Sequence, residues 1–165
     1  MEASYSDSWK RGPLADERKL TDTEEVLRRQ VVASWTKDGN PLSVAFRPTP
    51  KDKRRLSTDQ ASVTPEESFQ GYASRTGTRP HSTWGISVGV ILDAHECLPD
   101  EVKEVGRLDA INDGGTEGLH DTHASVVYSK DYDGATSSST QKYDERIARE
   151  LKKEAISRGR LHPPA

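Results

Sequence analysis

Residues 84–92, "WGISVGVIL", alternate along their whole length. Successive side chains of a strand point to opposite faces, so Trp84, Ile86, Val88, Val90 and Leu92 would share one face, and Gly85, Ser87, Gly89 and Ile91 the other. The pattern predicts a central strand. The small residues of its second face predict a helix or ligand in close approach there.

Working back from this segment, "TPEESFQGYASRTG" at 64–77 has the strongest helix start in the chain. Thr64 is placed to cap, Pro65 takes the first helical position, Glu66 and Glu67 fill the first turn, and Gly77 is the stop. "LSVAF" at 42–46 alternates and predicts a strand, after a turn at "KDGNP", 37–41. In "TDTEEVLRRQVV", Thr21 and Glu24 have capping-box spacing, which predicts a short helix over 22–30; Val26, Leu27, Val31 and Val32 would equally feed a strand. Residues 1–19 lack period and apolar area and are expected to form a disordered arm.

Downstream, 93–122 loses period and is strongly acidic, with only Lys103 and Arg107 opposing its carboxylates; a flexible acidic loop is expected. "HASVVYS" at 123–129 reads as a strand and 130–140 as a flexible connector. The last helix, over 141–158, carries an i, i+4 stripe of Tyr143, Ile147, Leu151 and Ala155. The order of elements predicts an α+β fold: a single small domain over 20–160 with a mostly antiparallel sheet and helices on one side. A parallel βαβ unit across 42–92 ranks second.

The 165 residues suit one domain, typically about 100–150 residues. Apolar residues make up 32% and charged residues 31%, so a modest core is diluted by polar loops and tails. A net charge of −3 does not mark the whole chain as a binder of nucleic acid or membrane. One cysteine, Cys97, excludes an internal disulfide and a four-cysteine zinc site. No apolar run has the length of a signal peptide core or of a membrane span, and a cytoplasmic location is expected.

Candidate chemistry falls in three places. "AFRPTPKDKRRLST", 45–58, gathers Arg47, Lys51, Lys53, Arg54 and Arg55 against Asp52. It could grip phosphate, pair with the acidic 93–121 segment, or stay solvated, but without glycines it is no P-loop. "HDTH" sets His120 and His123 three apart. On a strand this spacing sends the rings to opposite faces, so no metal site is expected, and His123 alone is the candidate acid, base or ligand contact. Ser57 and Cys97 sit in no nucleophile motif, and Cys97 reads as buried filler.

"LRRQV", "SWTKDGNPLSVAFRPTPKDKRRLS", "TPEESFQGY", "TWGISVGV" and "THASVVY" together resemble a family of small bacterial proteins that has no established activity. The likeness runs over residues 26–92 and resumes at 119–128 and near the chain end. Family members often read Lys-Asp, a small linker, then Leu-Ser, matched here by Lys51, Asp52, Leu56 and Ser57. The run Lys53-Arg54-Arg55 and the acidic, glycine-rich stretch before His123 depart from that pattern. The resemblance implies no mechanism. It singles out Arg29, Gln30, Lys51, Asp52, Ser57 and His123 as polar residues without an obvious structural task.

Two functions are therefore expected. The first is a small macromolecule-interaction protein with a protein partner, in the setting of a bacterial conflict or defence system. The second is an enzyme or binder acting on a phosphate-bearing small molecule such as a nucleotide. There Arg29, Arg47, Lys51 and Asp52 would hold the ligand, with Ser57 and His123 near the reacting group. Neither calls for a cofactor; nucleic acid is a third class of partner and membrane is not.

Overall fold

The computed structural model describes residues 17–48, 54–104, 106, 108–115, 119–128 and 141–164. In chain order the strands are β1 (Arg18–Lys19), β2 (Val26–Val31), β3 (Thr36–Lys37), β4 (Asn40–Pro41), β5 (Arg55–Asp59), β6 (Ser82–Ser87), β7 (Asp109–Asn112) and β8 (His123–Val127). The helices are α1 (Pro65–Thr76), α2 (Val88–Glu96), α3 (Asp100–Lys103) and α4 (Gln141–Arg158). One six-stranded sheet runs in the order β1-β7-β8-β5-β2-β6, with every pairing antiparallel. β3 and β4 form a small hairpin at the expected turn, with Asp38 and Gly39 at φ 53° and 81°. The expected α+β class is what the chain adopts.

The pairing register sorts the sheet into two unlike faces. Leu27 stands opposite Ile86, Arg29 opposite Trp84, and Leu56 opposite Val126, which in turn faces Ala110. Against this apolar face α4 lays its stripe of Tyr143, Ile147, Leu151 and Ala155, all fully buried, with Val88, Ile91 and Ala94 of α2 alongside. Burying each large aliphatic side chain contributes about 1.5–3 kcal/mol, so this one seam carries most of the fold's driving force. α1 packs at the other face, over β2 and β6.

The long alternating segment is two elements. β6 starts earlier than expected, at Ser82, and stops at Ser87, whose Oγ accepts from Val90 N at 3.1 Å and caps α2. Glu154 of α4 locks the junction, accepting from Ser87 N at 2.8 Å and Ser87 Oγ at 2.7 Å. β6 is also an outer strand of the sheet and not a central one, bridged beyond, among the described residues, only by His162 to Thr83. Neither the helix nor the ligand expected beside the small residues is what approaches Gly89: a Cβ there would lie 3.0 Å from the carbonyl of Thr23, in the turn before β2.

Other expectations change in the same way. The short helix over 22–30 is absent: Glu25 N bonds Asp22 O in a turn, and 26–31 is the strand that its valines allowed. "LSVAF" is not a strand. Ser43–Phe46 form a 3-10 turn tucked under the sheet, where the buried Tyr128 Oη donates to the Phe46 carbonyl. The 93–122 stretch holds the end of α2, α3 and β7, so much of it is regular and not loop. Arg18 and Lys19, expected within the disordered arm, pair instead with β7; residues 1–16 lie outside the described residues, as does the 130–140 connector. α1 and α4 stand as expected, α1 with both halves of its capping box and Gly77 at φ 71°. Among the described residues no helix is long and apolar enough to cross a membrane.

Candidate functional site

The face of the sheet opposite α4 is polar. Alternation brings Arg28 of β2, Asp59 and Ser57 of β5, and His123 and Ser125 of β8 to this side; Arg28 pairs Asp59, Asp59 pairs His123, and Ser57 pairs Ser125. A hydrogen-bonded chain crosses it. Thr83 Oγ1 donates to Gln30 Oε1 at 2.7 Å, Gln30 Nε2 to Ser68 Oγ at 2.7 Å, and Ser68 Oγ to Asp59 Oδ2 at 2.5 Å. Asp59, only 3% exposed, is the hub: its Oδ1 also accepts from His120 Nε2 at 2.5 Å and Thr122 Oγ1 at 3.1 Å, and Arg75 lies 3.9 Å from Oδ2.

A second carboxylate does the same for His123. Asp113, fully buried, accepts from His123 Nδ1 at 2.6 Å, Ser125 Oγ at 2.5 Å and Arg55 at 3.4 Å. Burial alone would push its carboxyl up. The bonds from His123 and Ser125, with electrostatic attraction to His123 and Arg55, overcome that and hold it below the ordinary carboxylate value. Arg55 is itself held by Glu17, with Nη1 at 2.7 Å and Nη2 at 3.2 Å from the carboxylate. The turn that delivers His120 depends on glycine: a Cβ on Gly114 would sit 1.9 Å from the Asp121 carbonyl.

Between β2, β5 and α1 these groups line a cleft of about 40 Å³, with Ser57, Asp59, Tyr72, Arg75, His120 and His123 on its walls. It has room for little more than a water-sized group, whose share of liquid volume is about 30 Å³. A ligand would place one small polar group inside and the rest across the surface. Arg28 also lines it, but its guanidinium is committed to the Val63 and Val26 carbonyls at 3.1 and 2.9 Å, and burial lowers its pKa. Arg75 is the arginine with donors to spare.

Of the residues singled out in the sequence, Arg29, Gln30, Ser57 and His123 all line this cleft. Gln30 also belongs to the hydrogen-bonded relay. The Arg29 guanidinium turns away from it, donating to the Ala45 and Ser57 carbonyls at 2.7 and 2.9 Å with Trp35 stacked 5.3 Å away. Its task is structural. Arg47 lies elsewhere, paired with Glu145 of α4 at 3.2 Å. Lys51 and Asp52 lie outside the described residues. The basic 47–55 stretch does meet the acidic one, through Arg55 and Asp113. Cys97 is exposed and not buried filler, and His95 bonds Tyr143 Oη at 2.9 Å.

Sequence patterns missed Asp59, Asp113 and Arg75, and set His120 aside. The two histidines were expected on opposite faces, but the strand begins only at His123. His120 sits in the preceding turn, so the rings meet with centroids 5.3 Å apart. Among the described residues no three His, Cys, Asp or Glu side chains converge as a metal site. No protein-family model, curated protein or solved structure matches the chain.

Proposed function

We propose that the protein binds and acts on a phosphate-bearing small molecule of the nucleotide class at the polar face of its sheet. The observation that carries this reading is the convergence of two carboxylate-backed imidazoles, His120 and His123, with Ser57 and Arg75 on one cleft. Imidazole exchanges protons near neutrality, a hydroxyl and a guanidinium supply donors to phosphate oxygens, and Tyr72 offers a ring on which a base can stack. The test is a thermal-shift panel of nucleoside 5′- and 3′-monophosphates, triphosphates and inorganic phosphate. A ligand at 100 times its dissociation constant adds about 2.7 kcal/mol, and Arg75→Ala is expected to remove the shift. A panel without any shift overturns the reading.

The outer face of α4 favours a second role, a docking module for an acidic protein partner in the bacterial cytoplasm, as in a conflict or defence system. Arg146 and Arg149 have no carboxylate partner among the described residues; both line a groove of about 440 Å³ beside the helix, and Arg149 also lines one of about 210 Å³. A pulldown from the native host is expected to return an acidic protein at near-stoichiometric yield that Arg146→Glu with Arg149→Glu releases; no such partner ends this reading.

A further inference from the structure

Proton transfer at this cleft is set up twice. The rings of His120 and His123 stand edge to face, at 81°. A carboxylate only accepts, so the nitrogen that each ring gives it, Nε2 of His120 and Nδ1 of His123, keeps its proton in either charge state. Proton exchange therefore falls to His120 Nδ1 and His123 Nε2. The carboxylates are occupied: Asp59 also serves Ser68 and Thr122, and Asp113 serves Ser125 and Arg55. They orient the rings and leave the chemistry to them.

Two imidazoles within reach of one small polar group supply a general base and a general acid together, each worth about 10²–10⁴-fold. Ser57 Oγ is bonded to neither ring, so it lacks the contact that activates a serine nucleophile. A substrate that carries its own nucleophile beside the phosphorus needs no activated serine.

We infer that His120 and His123 are an acid–base pair that cleaves a phosphodiester with a neighbouring hydroxyl, the linkage of a ribonucleotide chain. This rests on the cleft being a phosphate site. The neutral imidazole takes the proton of the 2′-hydroxyl as its oxygen bonds to phosphorus. The bond from phosphorus to the 5′-oxygen breaks, and that oxygen takes the proton of the other, protonated ring. A 2′,3′-cyclic phosphate and a 5′-hydroxyl result, no electrons are transferred, and the two rings have exchanged protonation states. Ser57 and Arg75 hold the non-bridging oxygens, and Tyr72 stacks a flanking base.

The full chain is incubated in EDTA with random-sequence single-stranded RNA, with its 2′-O-methyl counterpart, and with DNA of matching length. Only the RNA is expected to be cut, leaving ends with 2′,3′-cyclic phosphate. His120→Ala and His123→Ala should each slow the cut at least 100-fold. His120→Asn, at the more exposed ring, with its melting temperature checked, separates lost catalysis from lost folding. Intact RNA, cleavage of the 2′-O-methyl strand or DNA, or cleavage that persists in a folded His120→Asn protein each overturns the inference. Nucleotide-induced thermal shifts without RNA cleavage would sink the inference alone. Absence of both would remove the phosphate reading with it.

Discussion

Replacing Arg54 by alanine is expected to lower stability by about 3–5 kcal/mol in urea or guanidinium unfolding, the loss typical of breaking a buried ion pair. Arg54 and Asp144 are 7% and 8% exposed, and the guanidinium grips the Asp144 carboxylate with two donors. The cation also lies 5.8 Å from the Tyr143 ring centroid. Without it Asp144 stays at the start of α4 as an uncompensated anion beneath the helix that closes the core. Burial already pushes the Asp144 carboxyl above its ordinary value, although the Arg54 bond and charge pull it down. A carboxyl raised in the folded state gains relative stability as pH falls through its pKa, so the deficit of Arg54→Ala should shrink between neutral and acid pH. A deficit that does not change with pH would mean that Asp144 is not its source.

Two companion variants separate charge from shape. Arg54 holds a left-handed backbone, φ 57°, which costs a non-glycine residue roughly 1 kcal/mol, so Arg54→Gly should lose about that much less than Arg54→Ala. Replacing Arg54 and Asp144 together by leucine removes both charges and should cost clearly less than the single alanine, because a paired buried charge is worth little more than a well-packed apolar pair. None of these changes touches the cleft, so the nucleotide-induced shift should survive in each.

Local signals carried much of the fold and little of the site. α1 was legible because its capping box, its first-turn proline and its terminal glycine lie within one segment. α4 was legible because its stripe repeats over four turns. The segment after Trp84 misled because Val88 and Ile91, both buried, satisfy helical spacing while Val88, Val90 and Leu92 satisfy alternation. Only the cap at Ser87 and its anchor on Glu154, 67 residues away, decide between them. The site is harder still. Asp59 and His120 are 61 residues apart and Arg55 and Asp113 58, and nothing near any of the four marks its partner. His120 was visible as a residue and misplaced as geometry: the strand starts at His123 as expected, and His120 lies in the turn before it, where the alternation of a strand does not decide which way a ring faces.

Asp59→Ala is the second large effect, and it differs from the first in touching both stability and function. The carboxylate accepts from Ser68, His120 and Thr122 at once, and Ser68 is 2% exposed. Leaving a buried donor unsatisfied costs about 1–3 kcal/mol; His120 and Thr122 are less buried and can turn to water, so a total of about 2–3 kcal/mol is expected. The relay through Gln30 and Thr83 loses its terminus, and His120 loses the acceptor that fixes its ring. Nucleotide binding, measured by titration well below the melting temperature, should weaken in Asp59→Ala while remaining intact in Arg54→Ala at equal or greater destabilisation. Asp59→Asn sharpens the contrast. Its amide oxygen still accepts from His120 or Ser68, so it should recover part of the stability, but it carries no charge and its amide nitrogen can only donate toward the groups that donated to the carboxylate, so binding should stay impaired. If the asparagine variant binds as the native protein does, the carboxylate serves packing and hydrogen bonding alone, and the charge of the Asp59–His120 pair has no part in the site.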